Sequence, residues 1–487
     1  MLKLSEGETY AQERRKILND EKSLFFGNKL TSSLTTKELM VNEVLMEKKI
    51  DELTSSYENS SNFLPSVHFF QAKERIDQSE IFAIIKRIPK GACLHTHLSA
   101  AVSVDFIIDN ISYRDCLYGG YINDVFKLKF LSDSTQDNRC KWTEIKEMRR
   151  NQTAPVFDQW LRQQLTLNVD NPKEIYSNIE TVWKKFRNMF STTYDLFSYR
   201  PVFQDCIYQL LQELYDDNIM YAELKGTVLP LYELDGTVYS KKDFFEIFVQ
   251  TVNKFRTDHP KFKGVRYIHS VPRGVDKETL QTELNVIIEM QKLFSNFIIG
   301  LDFVGFEEEG KFLTEFRSEI SAAQKHLKFF FHAGETNWFG QTDCNIADAI
   351  LFNSQRIGHG FAIIKHPILL RLAKERNIPL EICPISNQVL MLNDDPRNHP
   401  ATYLMATDYP LVICNDDPSA WNASGLSYDW YITFMAMTTK MSGIEVLKQF
   451  ALNSIFYSSM EEKEKEMMMK EWKEQWDEFL NEILKYY

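Results

Sequence analysis

The sequence has little of what a protein needs to grip polyanions. Its 487 residues carry 56 Lys and Arg against 68 Asp and Glu, a formal charge of −12. Basic residues occur only in short runs. Nucleic acids and anionic membranes both demand a dense positive patch, so neither is expected as a partner. Long apolar runs are missing too. No stretch approaches the roughly 18 residues that span a bilayer. The opening MLKLSEGETYAQERRK lacks the apolar core of a signal peptide. That start fits a cytosolic protein or the mature part of a secreted one. Cysteine is sparse: Cys93, Cys116, Cys140, Cys206, Cys344, Cys383 and Cys414. An odd total leaves at least one outside any intrachain bridge. Cys93, Cys383 and Cys414 sit in apolar runs and read as small core residues. Cys116 and Cys140 bracket a polar, loop-like segment, where a disulfide would staple a small excursion. Sequons at Asn59, Asn110, Asn151 and Asn422 join that pair in pointing to an oxidising, secreted setting.

What is present is a repeated pattern. Eight short apolar runs recur: 91–97, 219–226, 264–270, 297–305, 328–335, 356–361, 379–384 and 410–418. Amphipathic segments such as KETLQTELNVIIEMQKLF separate them. This alternation implies a parallel sheet, and eight units imply a closed (β/α)8 TIM barrel. The runs are continuously apolar, as a sheet covered by helices on its outside requires. About 120 residues separate the first two runs, where a barrel unit averages roughly 30. An inserted subdomain is therefore placed at 111–165, within a barrel domain covering 81–487. Residues 1–80 read as a helical segment, either packed on the barrel or used for dimerisation. The C-terminal stripe of Trp472, Trp476, Phe479 and Ile483 reads as core packing.

Ionisable residues gather at the C-terminal ends of the runs, the active face of such a barrel. These are His95, His97, Glu223, His269, His332, Glu335, His359 and Asp416. Alternate residues of a strand point the same way, so His95 and His97 can grip one ion. With His332 and Asp416 they form a donor set suited to Zn²⁺. Such an ion lowers the pKa of water toward 7. His359 can then orient that water and take its proton, and Glu335 can serve as acid-base toward the substrate. Asp417 would point to the other side and meet a substrate donor or acceptor.

Taken together, IPKGACLHTH, HAGETNW, RIGHGFA, CPISNQVL and CNDDP resemble the adenosine deaminases, most closely their secreted, growth-factor type. FLPSVHFFQAK, YELDG, RNHPATYLMATDYPLVI and GLSYDWY extend the likeness over nearly the whole chain. The resemblance implies a zinc-dependent (β/α)8 hydrolase of the metal-dependent type, converting adenosine and 2′-deoxyadenosine to inosine products and ammonia. Glu335 then matches the residue that protonates purine nitrogen 1, and His359 the one that positions water and stabilises developing charge. Asp417 matches a residue bonded to nitrogen 7, and Gly305 one whose N–H meets nitrogen 3. Trp183 and Phe186 match an aromatic stretch touching the nucleoside, although on physical grounds they read as helix core. The resemblance further implies a homodimer through the N-terminal helices, an extracellular location, an insert that binds a receptor or glycan partner, and glycosylation at Asn110 and Asn151. Two departures stand out. Leu98 replaces an aspartate that bonds a ribose hydroxyl, and the family histidine near the third strand has no clear counterpart, His269 being out of register. A catalytically weak, adenosine- or receptor-binding growth factor on the same fold is the alternative reading.

Overall fold

A computed structural model describes residues 7–487; residues 1–6 of the expected N-terminal segment lie outside the described residues. All eight apolar runs form parallel strands: β1 Gly91–His97, β2 Ile219–Gly226, β3 Gly264–Pro272, β4 Ile298–Val304, β5 Lys328–Phe329 continued by His332–Ala333, β6 Ile357–His359, β7 Leu380–Ile382 and β8 Leu411–Ile413. They pair in sequence order in two arcs, β1 to the first half of β5 and the second half of β5 to β8. The interrupted β5 belongs to both arcs. At the other seam Thr96 bridges Asp416 in parallel. There the His97 amide donates to Asp416 and the Asp416 amide donates to the His95 carbonyl. The ring order is thus that of a TIM barrel. Strand interiors are buried on both faces, because side chains fill the barrel axis and helices such as Lys241–Asp258 and Lys277–Leu293 cover the outside.

The long β1–β2 connection holds two things. Leu117–Ile122, Val125–Phe130 and Thr143–Glu144 form an antiparallel three-stranded sheet, followed by helices Ile145–Arg150 and Ala154–Leu165. Beyond it runs the helix Ile179–Phe197, capped by Asn178. The insert leans on this helix: Lys127 donates to the Ser191 carbonyl at 2.7 Å, and Arg139 pairs with Asp195 at 2.8 Å.

The bridge expected between Cys116 and Cys140 is not formed; both are free thiols. Cys116 stands just before the first insert strand, whereas the Cys140 sulfur packs over Gly120. Four extended residues separate those points, roughly 13 Å at about 3.3 Å per residue. Bridged Cα atoms lie within about 7 Å.

Helix Thr36–Glu58 starts with a capping box between Thr35 and Glu38. It docks on the barrel through buried Glu38, which takes Lys448 at 2.6 Å and the Trp476 indole at 2.9 Å. The expected boundary at residue 80 falls on the first residue of helix Glu80–Arg87, which leads directly into β1.

Candidate active site

The mouth of the barrel is shaped by backbone as much as by side chains. Two non-glycine residues, His359 (φ 57°) and Asp416 (φ 57°), sit in the left-handed region just where β6 and β8 end. Such a conformation costs on the order of 1–3 kcal/mol and persists only where surroundings impose it. Here it turns the chain sharply at the rim, so that His359 and Asp416 share the centre with residues from β1 and β5.

His95, His97, His332 and Asp416 each offer one ligand atom, all within 4.8 Å of one another. The ring tautomers follow from outer partners. His95 Nδ1 donates to Glu381 at 2.6 Å and His332 Nδ1 donates to Asp302 at 2.7 Å, so both Nε2 atoms present lone pairs to the centre. The His95 and His97 Nε2 atoms face each other at 3.3 Å. Asp416 Oδ1 is buried without a hydrogen-bond partner. Converging lone pairs and an orphaned carboxylate oxygen fit a divalent cation with nitrogen and oxygen ligands. Burial works against charge on His95, yet Glu381 and Asp416 outweigh it and lift its pKa to about 9. The field that draws a proton to His95 Nε2 in the metal-free site equally draws a cation, which on binding would take that proton's place on the Nε2 lone pair. His332 is pushed down to about 3, chiefly by burial, and stays a neutral donor. A second set, His95, His359, Cys383 and Asp416, also lies within 4.8 Å. Its thiol is held well above its ordinary range by burial and is the poorer ligand.

A cavity of about 390 Å³ opens beside this centre. His97, His332, Glu335, Asp416 and Asp417 line its floor, and Gly305, Trp183 and Phe186 its walls. Burial, with Asp416 and Glu307 nearby, raises the Glu335 carboxyl well above its usual range, which favours its protonated form. Burial and Asp416 do the same to Asp417, whose Oδ1 has no partner. Gly305 lies at φ 104° at the end of β4 and a Cβ there would meet nothing, so its backbone faces open space. Trp183 stacks on Phe306 at 4.8 Å and Arg187 pairs with Glu309 at 2.6 Å. Helix Ile179–Phe197 is thereby pinned over the cavity by the β4 loop. Leu98 is also on the wall, packed toward Gly226.

Two residues singled out at strand ends lie elsewhere. His269 is buried but points away from the cavity toward Glu283, at 3.4 Å, while its neighbour Ser270 faces the cavity. Strand alternation explains this. Glu223 pairs with buried Arg356 at 2.6 Å and holds the barrel interior.

Sequence reasoning missed the outer partners. Asp302 and Glu381 both pair with buried Lys225, at 2.9 and 3.1 Å. The available signal was an ionisable residue inside an otherwise apolar strand, LDF and LEI. Ser386 and Asn387 were also missed: Ser386 donates to Asp416 Oδ2 at 2.7 Å. Glu307, which accepts from the Gly334 and Glu335 amides, carried no signal at all.

An eight-stranded parallel ring with three imidazoles and an aspartate at its C-terminal mouth defines the class, a hydrolase barrel of the metal-dependent type. Within that class the chain belongs to the adenosine deaminase family: residues 157–475 match that family, and residues 1–85 match its adenosine/AMP deaminase N-terminal region. It is 38% identical to an adenosine deaminase of Phlebotomus duboscqi over 480 residues, covering 98% of this chain and 92% of that protein. It is equally 38% identical to human adenosine deaminase 2 over 480 residues, covering 97% and 93%. Among solved structures it resembles the N6-methyl-AMP deaminase of Arabidopsis thaliana, with a TM-score of 0.57, 19% identity and coverage of 81% and 98%. It also resembles an amidohydrolase of Burkholderia ambifaria with bound zinc, with a TM-score of 0.54, 20% identity and coverage of 83% and 94%. These two likenesses speak to the fold.

Proposed function

We propose that this chain is a zinc-dependent deaminase that hydrolyses adenosine and 2′-deoxyadenosine to inosine products and ammonia outside the cell. His95, His97, His332 and Asp416 would hold the metal. Zinc, when bound there, supplies Lewis-acid activation of water at neutral pH. Glu335, whose surroundings favour the protonated form, gives its proton to purine nitrogen 1 and makes carbon 6 more electrophilic. His359 Nε2 lies 3.5 Å from Glu335 and 3.7 Å from Asp416, on the side where the water must be held. Asp417, in its protonated form, can donate to nitrogen 7, and the Gly305 N–H can meet nitrogen 3. Trp183 and Phe186 offer the purine an apolar wall that excludes water. The observation that carries this reading is the joint one: four convergent metal donors beside a buried glutamate on the floor of a nucleoside-sized cavity. Loss of absorbance at the adenosine maximum tests it, with and without a chelator. Wild type should turn over, and both the chelated protein and Glu335→Gln should be nearly dead. Full activity of Glu335→Gln would remove the proton-transfer role.

The extracellular placement rests on the relatives named adenosine deaminase 2 and on the sequons. No described helix is long and apolar enough to cross a membrane. Pairing of two chains through the N-terminal helices is supported by exposed Tyr10, Ile17, Leu18, Leu39 and Met40. The insert, with exposed Tyr113 and Tyr121 and flanked by the Asn110 and Asn151 sequons, would meet a receptor or glycan.

A further inference from the structure

His359 is not free to choose which ring nitrogen carries its proton. A chain of three hydrogen bonds fixes it from a backbone amide. The Ala401 N–H donates to His399 Nδ1 at 3.0 Å. That nitrogen is therefore an acceptor, and the neutral His399 ring carries its hydrogen on Nε2. His399 Nε2 donates in turn to Asn387 Oδ1 at 2.9 Å. The Asn387 amide is thereby oriented, with its Nδ2 turned to His359 Nδ1 at 3.1 Å. An amide nitrogen can only donate, so His359 Nδ1 accepts. In the neutral ring the hydrogen is then on Nε2, the atom that faces Glu335 and Asp416 with no hydrogen-bond partner of its own.

Each member of the chain is buried: His399 is 2% exposed, Asn387 1% and His359 1%. Water does not compete for these groups, so a mismatched donor or acceptor would cost its full desolvation. The starting amide belongs to the first turn of helix Pro400–Ala406, whose own geometry fixes where that N–H points.

We infer that Asn387 and His399 are positioning residues that hold neutral His359 as the Nε2–H tautomer, so that it enters the reaction as a hydrogen-bond donor rather than as the base. This rests on the deaminase reading only for its consequence in turnover. The tautomer itself is a property of the resting protein.

The experiment follows both. The purified full chain is labelled with ¹⁵N-histidine, and long-range ¹H–¹⁵N correlation reads the ring nitrogens of His359, assigned by its loss in His359→Gln. Wild type should show a proton on Nε2 and a bare Nδ1. In Asn387→Asp the new carboxylate can only accept, so His359 should switch to the Nδ1–H form. With adenosine, kcat of Asn387→Asp should fall by about 100-fold or more while KM moves little, as expected when a catalytic histidine is held in the wrong tautomer. A proton found on Nδ1 in wild type overturns the inference, and so does an Asn387→Asp protein with unaltered tautomer. Spectra as expected with no turnover in wild type would instead overturn the deaminase reading and leave the relay standing. The wild-type spectrum decides even if the variant does not fold.

Discussion

At the scale of residues, the centre depends on one buried cation. Lys225 lies between Asp302 and Glu381, the two carboxylates that orient His332 and His95. Removing it leaves two buried carboxylates short of a partner, which costs roughly 3–5 kcal/mol in such networks. It also loosens the imidazoles. Lys225→Met should therefore lower metal affinity by about 10–100-fold, an effect typical of outer-shell partners; competition with a chromogenic chelator measures it. Wild-type affinity in Lys225→Met would show that the histidines are oriented by packing alone. Asp417 invites a finer test. If its protonated carboxyl acts as a donor, Asp417→Asn keeps a donor in place and Asp417→Ala does not. Turnover in the asparagine variant should exceed that of the alanine variant by about tenfold, the value of roughly one hydrogen bond. The donor residues themselves were legible because His-x-His and HAGE interrupt apolar strands. Lys225 was not, because a lysine near a strand end reads as solvated until the opposite strands are seen to close over it.

At the scale of elements, helix Thr36–Glu58 carries an unusual burden. Lys49 is fully buried, donating to Thr438 Oγ1 and to the Thr439 and Ser442 carbonyls. Burial pushes its pKa down to about 7. Below pH 7 it is charged in both folded and unfolded chains, and the burial penalty is fully felt. Between about 7 and the ordinary lysine value of roughly 10.4, the unfolded chain holds a proton the folded chain has lost. Stability from this group therefore rises with pH across that window, by up to about 1.4 kcal/mol per pH unit. Urea titrations at several pH values, compared with Lys49→Met, should show the wild type gaining on the variant as pH rises from 7 to 10. Parallel curves would place Lys49 in water. The insert carries a second element-scale expectation. Through Lys127 and Arg139 it braces helix Ile179–Phe197, which bears Trp183 and Phe186. Replacing residues 116–144 by a short linker should raise KM for adenosine several-fold while the metal content stays at one per chain. Strand positions were readable from apolar periodicity, but this buttress was not. Nothing in the local pattern of LYGGYI or VFKLKF says which helix they lie against.

At the scale of the whole molecule, the exposed apolar residues of the first helices would form the seam of the proposed dimer. Light scattering should find twice the mass of one chain, and removal of residues 1–34 should return the monomer; an unchanged dimer would move the seam elsewhere. The barrel order, the rim location of His95, His97, His332, Glu335, His359 and Asp416, and the excess chain between β1 and β2 were legible in the sequence, because strand alternation and helical periodicity are local properties of a chain. Three things were decided only by the tertiary structure. Cys116 and Cys140 stay apart, since the insert sheet offsets them along a strand. His269 faces outward, since register rather than proximity in sequence selects the cavity side. The protonation of Glu335, Asp417 and the histidines is set by burial and by partners as distant in sequence as Glu381 is from His95. Electrostatics in a dry interior depends on what lies a few ångströms away in space, and no reading along the chain supplies those distances.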